Sequence, residues 1–281
     1  MKTTSFKSVS RVFAAVTISM ICTVSHAATT WNLSACSSST NLGSSKTCAS
    51  PGAAAGLTLN GYSNGTGTIL NPVVTDNAKN FAAATIYDWD PNGLGIVATN
   101  ESSSPAGPHA MDNGYGIDAM MLTFNDGPVN MTGLSIGWNG TDNTAYSDNN
   151  GLTTSGTNNG GAKVNYNDSD LSVFAWKGSA TPTTTSYNPN NLNTTAGSGW
   201  YLVGNYADVG ASNGTTAGGS QSLSSTVYSS YWLISAYSTS YNSGGVTEAG
   251  AGVAAGLNAG NDSFKLLTVA GNGCAGTVTG N

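Results

Sequence analysis

Beyond residue 27 this chain has no Arg, five Lys and one His across 254 positions. Fourteen acids stand against those five cations, a formal charge of −9 over the same stretch. Such a surface cannot lay down the cationic patch that nucleic acid or anionic lipid demands, so neither is a fitting partner. Glu is scarcer still. Only Glu101 and Glu248 occur, and a glycoside hydrolase would need Asp at one or both of its paired carboxylate positions. No H-E-x-x-H pattern or phosphate-binding loop is found. Long apolar runs are missing too, and nothing after residue 27 approaches the ~20 residues a bilayer core needs.

Cations gather only at the start of the chain. Lys2, Lys7 and Arg11 precede an apolar run from Val12 to Val24, and Ser25-His26-Ala27 forms a small-x-small cleavage site. This is the pattern of a secretory leader over residues 1–27, followed by one mature domain, residues 28–281. Cys22 lies in the leader, which leaves Cys36, Cys48 and Cys274 for an oxidising compartment. Proximity favours Cys36–Cys48, closing a loop through SSSTNLGSSKT and stabilising the fold by about 3 kcal/mol. Cys274 pairing with either of them is the alternative, and an odd thiol is left both ways. No Cys/His cluster has zinc spacing.

What the chain does have is Gly, Ser, Thr and Asn between short apolar runs. The runs are Gly56–Tyr62, Phe81–Trp89, Leu94–Thr99, Asp118–Phe124, Met131–Trp138, Asp170–Trp176, Trp200–Tyr206, Ser230–Tyr237 and Asp262–Val269. Period-two alternation puts Leu134, Ile136 and Trp138 on one face, then Leu171 with Val173, then Trp232, Ile234 and Ala236. These spacings predict antiparallel strands packed on one side, in an all-β, jelly-roll-like sandwich with long polar loops. Val246–Asn258 has helical spacing, but Gly250, Gly252 and Gly256 each cost about 1 kcal/mol against Ala in a helix, so a loop or single turn is expected. Gly140–Asn167, Gly178–Gly199 and Asp208–Thr226 read as connections or surface insertions without a core of their own.

Two polar clusters invite a chemical reading. Asp88-Trp-Asp90-Pro-Asn92-Gly93 opens like a calcium loop, in which alternating oxygens converge on one ion. The twelfth position, however, is Thr99, with Glu101 two residues late. Asp88, Asp90, Asn92 and Glu101 are therefore candidate Ca2+ ligands, set against a Pro-Asn-Gly turn joining two strands. The second cluster is His109, Asp112, Asn113 and Asp118. It could form a metal corner or an acid–base pair, or a loop knitted by hydrogen bonds from Asp112 and Asn113 to the backbone. A lone His supplies neither a catalytic triad nor two imidazole ligands. Asp168-Ser-Asp170 adds two carboxylates whose partners the sequence does not name.

Aromatic residues raise carbohydrate binding, since flat rings stack on sugars while Asn and Asp supply hydrogen bonds. Most Trp lie in alternating strands, where core packing is the commoner fate. Tyr146 and Tyr187, in polar segments, are the better candidates for exposed faces.

The order DWDPNGLGIV, PAGPHAMDNGYGIDAMMLTF, LSIGW, NDSDLSVFAW, GWYLVGNYAD, SSYWLISAY and DSFKLLTVAG resembles the exosortase-dependent surface proteins of the PEP-CTERM class. The likeness runs from about Asp88 to Gly271. It implies a secreted β-sandwich at the cell surface of a bacterium that builds extracellular polysaccharide, and it transfers no catalytic residue. Members usually end in a Pro-Glu-Pro signal, an apolar helix and a basic cluster, whereas this sequence ends GNGCAGTVTGN. Exosortase is thus a partner only if such a signal lies beyond the sequence given.

These readings combine into a non-enzymatic, secreted protein of the cell surface or extracellular matrix, with polysaccharide as its expected partner. A carbohydrate-binding module with structural calcium is the first alternative, and a hydrolase built on Asp pairs the second.

Overall fold

The computed structural model describes residues 28–36, 40–48, 56–65, 77–99, 101, 109–114, 116–140, 166–167, 169–193, 199–210, 212–213, 218–242, 247–253, 257 and 262–274. Strands β1 (Thr29–Asn32), β2 (Asn41–Gly43), β3 (Ser45–Cys48), β4 (Leu57–Ser63), β5 (Ala82–Ala83) and β6 (Thr85–Asp88) come first. They are followed by β7 (Leu94–Val97), β8 (Met111–Asp112), β9 (Asp118–Phe124), β10 (Val129–Asn139), β11 (Tyr166–Asn167) and β12 (Leu171–Trp176). The last six are β13 (Trp200–Tyr206), β14 (Ser212–Asn213), β15 (Gly219–Ser222), β16 (Tyr231–Ala236), β17 (Thr247–Val253) and β18 (Ser263–Gly273). Among the described residues there is no α-helix, and hence none long and apolar enough to cross a membrane.

Two sheets stack as a β-sandwich. The first runs β15-β10-β18-β7-β6-β2, with β1 and β8 also pairing on β18. The second runs β17-β13-β12-β16-β9-β4-β3, with β5 on β4. Pairing is antiparallel throughout except for β13–β17. One apolar cluster fills the space between the sheets. Leu57, Leu59, Met120, Leu122, Val173, Trp232 and Ile234 of the second sheet meet Ile86, Ile96, Leu134, Ile136, Leu266 and Val269 of the first. The Trp232 indole N–H is satisfied inside it by the carbonyls of Val129 and Ser229, each at 3.1 Å.

Four expectations need correction. The second sheet is not packed on one side only. Strand β9 is buried along almost its whole length, as are β12 and β16. Its outer face carries a second core of Ala119, Met121, Phe174, Trp200, Leu202 and Leu233, roofed by Phe81, Leu192 and Tyr241 from the connections. The polar segment from residue 178 onward supplies part of that roof. It is held by backbone and Asn bonds, Phe81 N–H to Tyr187 O at 2.9 Å and Asn188 Nδ2 to Ala78 O at 3.1 Å. Second, Thr247–Val253 is a strand. It pairs with β13, Gly252 opposite Gly204, in an extended backbone free of the penalty glycine carries in a helix. Third, part of the Asp208–Thr226 segment is sheet, because β15 pairs with β10 at Leu134↔Gln221. Most of Gly140–Asn167 lies outside the described residues.

Fourth, Trp138 does not share a face with Leu134 and Ile136. Register shifts along β10 place Ile136 opposite Leu266 but Trp138 opposite Lys265. Lys265 alternates with the core residues Phe264 and Leu266, so Trp138 emerges on the outer face of the first sheet.

Cys36 and Cys48 are joined, with Cα atoms 4.6 Å apart.

Candidate functional site

The Asp88–Gly93 stretch forms the hairpin turn between β6 and β7. Asp88 pairs with Leu94, Trp89 N–H bonds Gly93 O at 3.1 Å, and Asn92 N–H bonds Trp89 O at 2.6 Å. The Asp90–Pro91 peptide is cis, and Gly93 has φ +102°, a conformation that favours glycine. Asp90 and Asn92 point to solvent, while Asp88 is 5 % exposed with its Oδ1 unpartnered. Burial, then the neighbouring Asp90 charge, raises the Asp88 carboxyl to about 6. Glu101 takes no part in this turn. Its Oε2 accepts from the Ala98 amide at 3.0 Å, and its charge bears on Asp118. Among the described residues no three His, Cys, Asp or Glu side chains are placed to hold a metal ion. The donor set Asp88, Asp90, Asn92 and Glu101 does not converge as a calcium loop requires.

The second predicted cluster divides. Asp112 and Asp118 meet, Asp118 Oδ2 accepting from the Asp112 amide at 3.2 Å. Both are buried, and the Asp118 carboxyl is driven well above the usual range by burial, then by Asp112, then by Glu101. Asp112 Oδ1 caps Gly114 N–H at 2.9 Å. Asn113 exchanges bonds with Asp262 at 2.8 and 3.0 Å, and Asp262 Oδ1 accepts from the Asp170 amide at 2.8 Å. Asp170 in turn accepts from Asp208 N–H at 2.9 Å. These acids are backbone acceptors that tie the 109–114 loop to the ends of β12, β13 and β18.

His109 leaves that cluster altogether. Its ring stacks on Tyr87 (4.9 Å between centroids, 20° between planes) and on Trp89 (5.2 Å, 18°). The backbone there is strained, with His109 at φ 27°. It also runs so close over β7 that a Cβ on Gly95 would collide with the His109 carbonyl, so position 95 needs glycine. Beside this stack lies Lys265, its ammonium 4.2 Å from the Trp138 ring centre and 5.4 Å from that of Trp89. Burial lowers the pKa of this lysine.

On the outer face of the first sheet half-buried Tyr87, Trp89 and Trp138 therefore gather around buried His109 and Lys265. Tyr87 and Trp89 could be linked from sequence, being two apart in the run Phe81–Trp89. Trp138 and Lys265 were hidden by the register shifts, and no local signal identifies them. Tyr187, by contrast, packs edge-on to Trp176 against the second core. Tyr146 lies outside the described residues. Comparison with protein-family models, with curated proteins and with solved structures finds no match for this chain.

Proposed function

We propose that this protein is a non-enzymatic, exported component of the bacterial cell surface or extracellular matrix that holds polysaccharide on the outer face of its first sheet. One observation carries the reading. Trp31, Trp200 and Trp232 are fully committed to cores and Trp176 packs against one, whereas Trp89 and Trp138 remain half exposed together, beside Tyr87. Aromatic faces with a polar rim are what a sugar ring requires, apolar C–H surface against π surface and hydroxyls toward hydrogen-bonding groups. The leader pattern and the resemblance to exosortase-dependent surface proteins support the location. The use of Asp112, Asp118, Asp170 and Asp262 as buried backbone acceptors speaks against an Asp-based hydrolase.

Affinity electrophoresis through gels cast with a panel of polysaccharides, including that of the producing cell, tests the proposal. Retardation by at least one polymer, lost in a Trp89→Ala, Trp138→Ala double variant that keeps its melting temperature, is the expected result. Equal mobility in every gel would remove the binding reading.

A further inference from the structure

We infer that the Trp89–Lys265–Trp138 patch selects acidic saccharides, with a uronate-type carboxylate on the Lys265 ammonium and sugar C–H surface against the indoles. This deepens the polysaccharide reading and rests on it. The chain is acidic, at a formal −6 overall, and lysine is rare in it. Yet one of its lysines is held on a central strand with 9 % exposure, its ammonium over two indole rings. Among the described residues that ammonium has no ion pair and no hydrogen bond to a protein oxygen. Its charge is balanced only by ring quadrupoles, and burial already disfavours the charged form. A carboxylate ligand would supply the missing counter-ion through a charge-assisted hydrogen bond.

One further atom points the same way. The Trp89 indole N–H, at the same patch, has no acceptor, although buried polar groups are nearly always satisfied. An oxygen-rich ligand supplies one. Lys177 provides the contrast. It also lies over an aromatic ring, 4.5 Å from that of Tyr201, but as an exposed side chain on a single ring, the ordinary surface arrangement. Asp90 and Asp88 stand on the adjoining turn, so an anionic polymer must approach from the Trp138 side, and a single local cation has to outweigh them.

The experiment uses one polymer in two charge states. The full mature protein is run in affinity gels containing polygalacturonate or the same polymer methyl-esterified, so that the rings stay and the carboxylate charge goes. Stronger retardation by the free acid, by about tenfold in apparent affinity and weakening as salt rises, is expected. Lys265→Met, which keeps apolar volume between the indoles, should bring the two polymers to equal affinity. Lys265→Arg should retain the preference, and it stands in if the Met variant fails to fold. Equal binding of both polymers by the unaltered protein, or a preference that survives Lys265→Met, overturns the inference while leaving polysaccharide binding intact. Binding of neither form, with retention by a neutral polymer of the panel, also overturns it and spares the broader reading. Retention by no polymer at all removes both.

Discussion

Leu192→Ala offers a direct measure of whether the Asn-rich segment roofing the second sheet is structural. Leu192 is fully buried in the same cluster as Phe81, Phe174, Trp200, Leu202, Leu233 and Tyr241. It is presented by a tight turn in which the Asn188 and Asn191 side chains cap each other's amides at 2.7 and 3.1 Å, and Leu192 N–H bonds Asn188 O at 2.9 Å. Truncating a leucine in such a place removes its transfer free energy and leaves a cavity, about 2–5 kcal/mol together. In a domain of this size each kcal/mol lowers the melting temperature by about 2–4 °C, so a fall of about 4–20 °C is expected. Urea unfolding of the oxidised protein, followed by tryptophan fluorescence, should show the midpoint shift at unchanged slope. Thr185→Ala, exposed on the same segment, should stay within about 0.5 kcal/mol and serves as the control. A Leu192→Ala loss as small as the control's would refute the second core and return the segment to the surface connection read from its composition.

The buried acids predict a pH dependence of definite sign. Asp88, Glu101 and Asp118 all have carboxyls raised above their ordinary values, so the folded state retains protons that the unfolded chain releases. The stability they contribute is complete below about pH 4 and is lost as pH rises, through about 6 for Asp88, with Glu101 and Asp118 acting in the same direction. Thermal melts at pH 5 and pH 8 should therefore diverge less in Asp88→Asn and Asp118→Asn than in the parent, and an unaltered difference would contradict the assignment. Replacing Cys36 and Cys48 by Ser should cost about 3 kcal/mol through the freed loop, and a urea midpoint equal to that of the oxidised parent would exclude a stabilising role for the bridge.

Strand identity was legible because short apolar runs stand between turn-forming segments. Runs such as Asp118–Phe124 and Trp200–Tyr206 coincide with β9 and β13 to the residue. The Asp88–Gly93 turn was legible as well, since Pro, Asn and Gly each have a local backbone reason to be there. Local reasons also explain the failures. Thr247–Val253 has glycines that say only what it is not, and its strand state comes from a neighbour far away in sequence. Asn-rich stretches look like solvent loops until Asn188 is seen donating to the Asn80 side chain and to the Ala78 carbonyl, 108 and 110 positions away.

Chemistry was split between the two levels. The sequence by itself determined an all-β chain with few cations and few acids to spare, because composition and alternation are properties of residues in order. The tertiary structure alone decided which of those residues meet. Register shifts in β10 turned Trp138 out toward Lys265, crossing strands carried His109 away from Asp112 and onto Tyr87 and Trp89, and burial made the other acids into scaffold. A contact between β6, β10 and β18 is closed by packing over distances that no local spacing encodes.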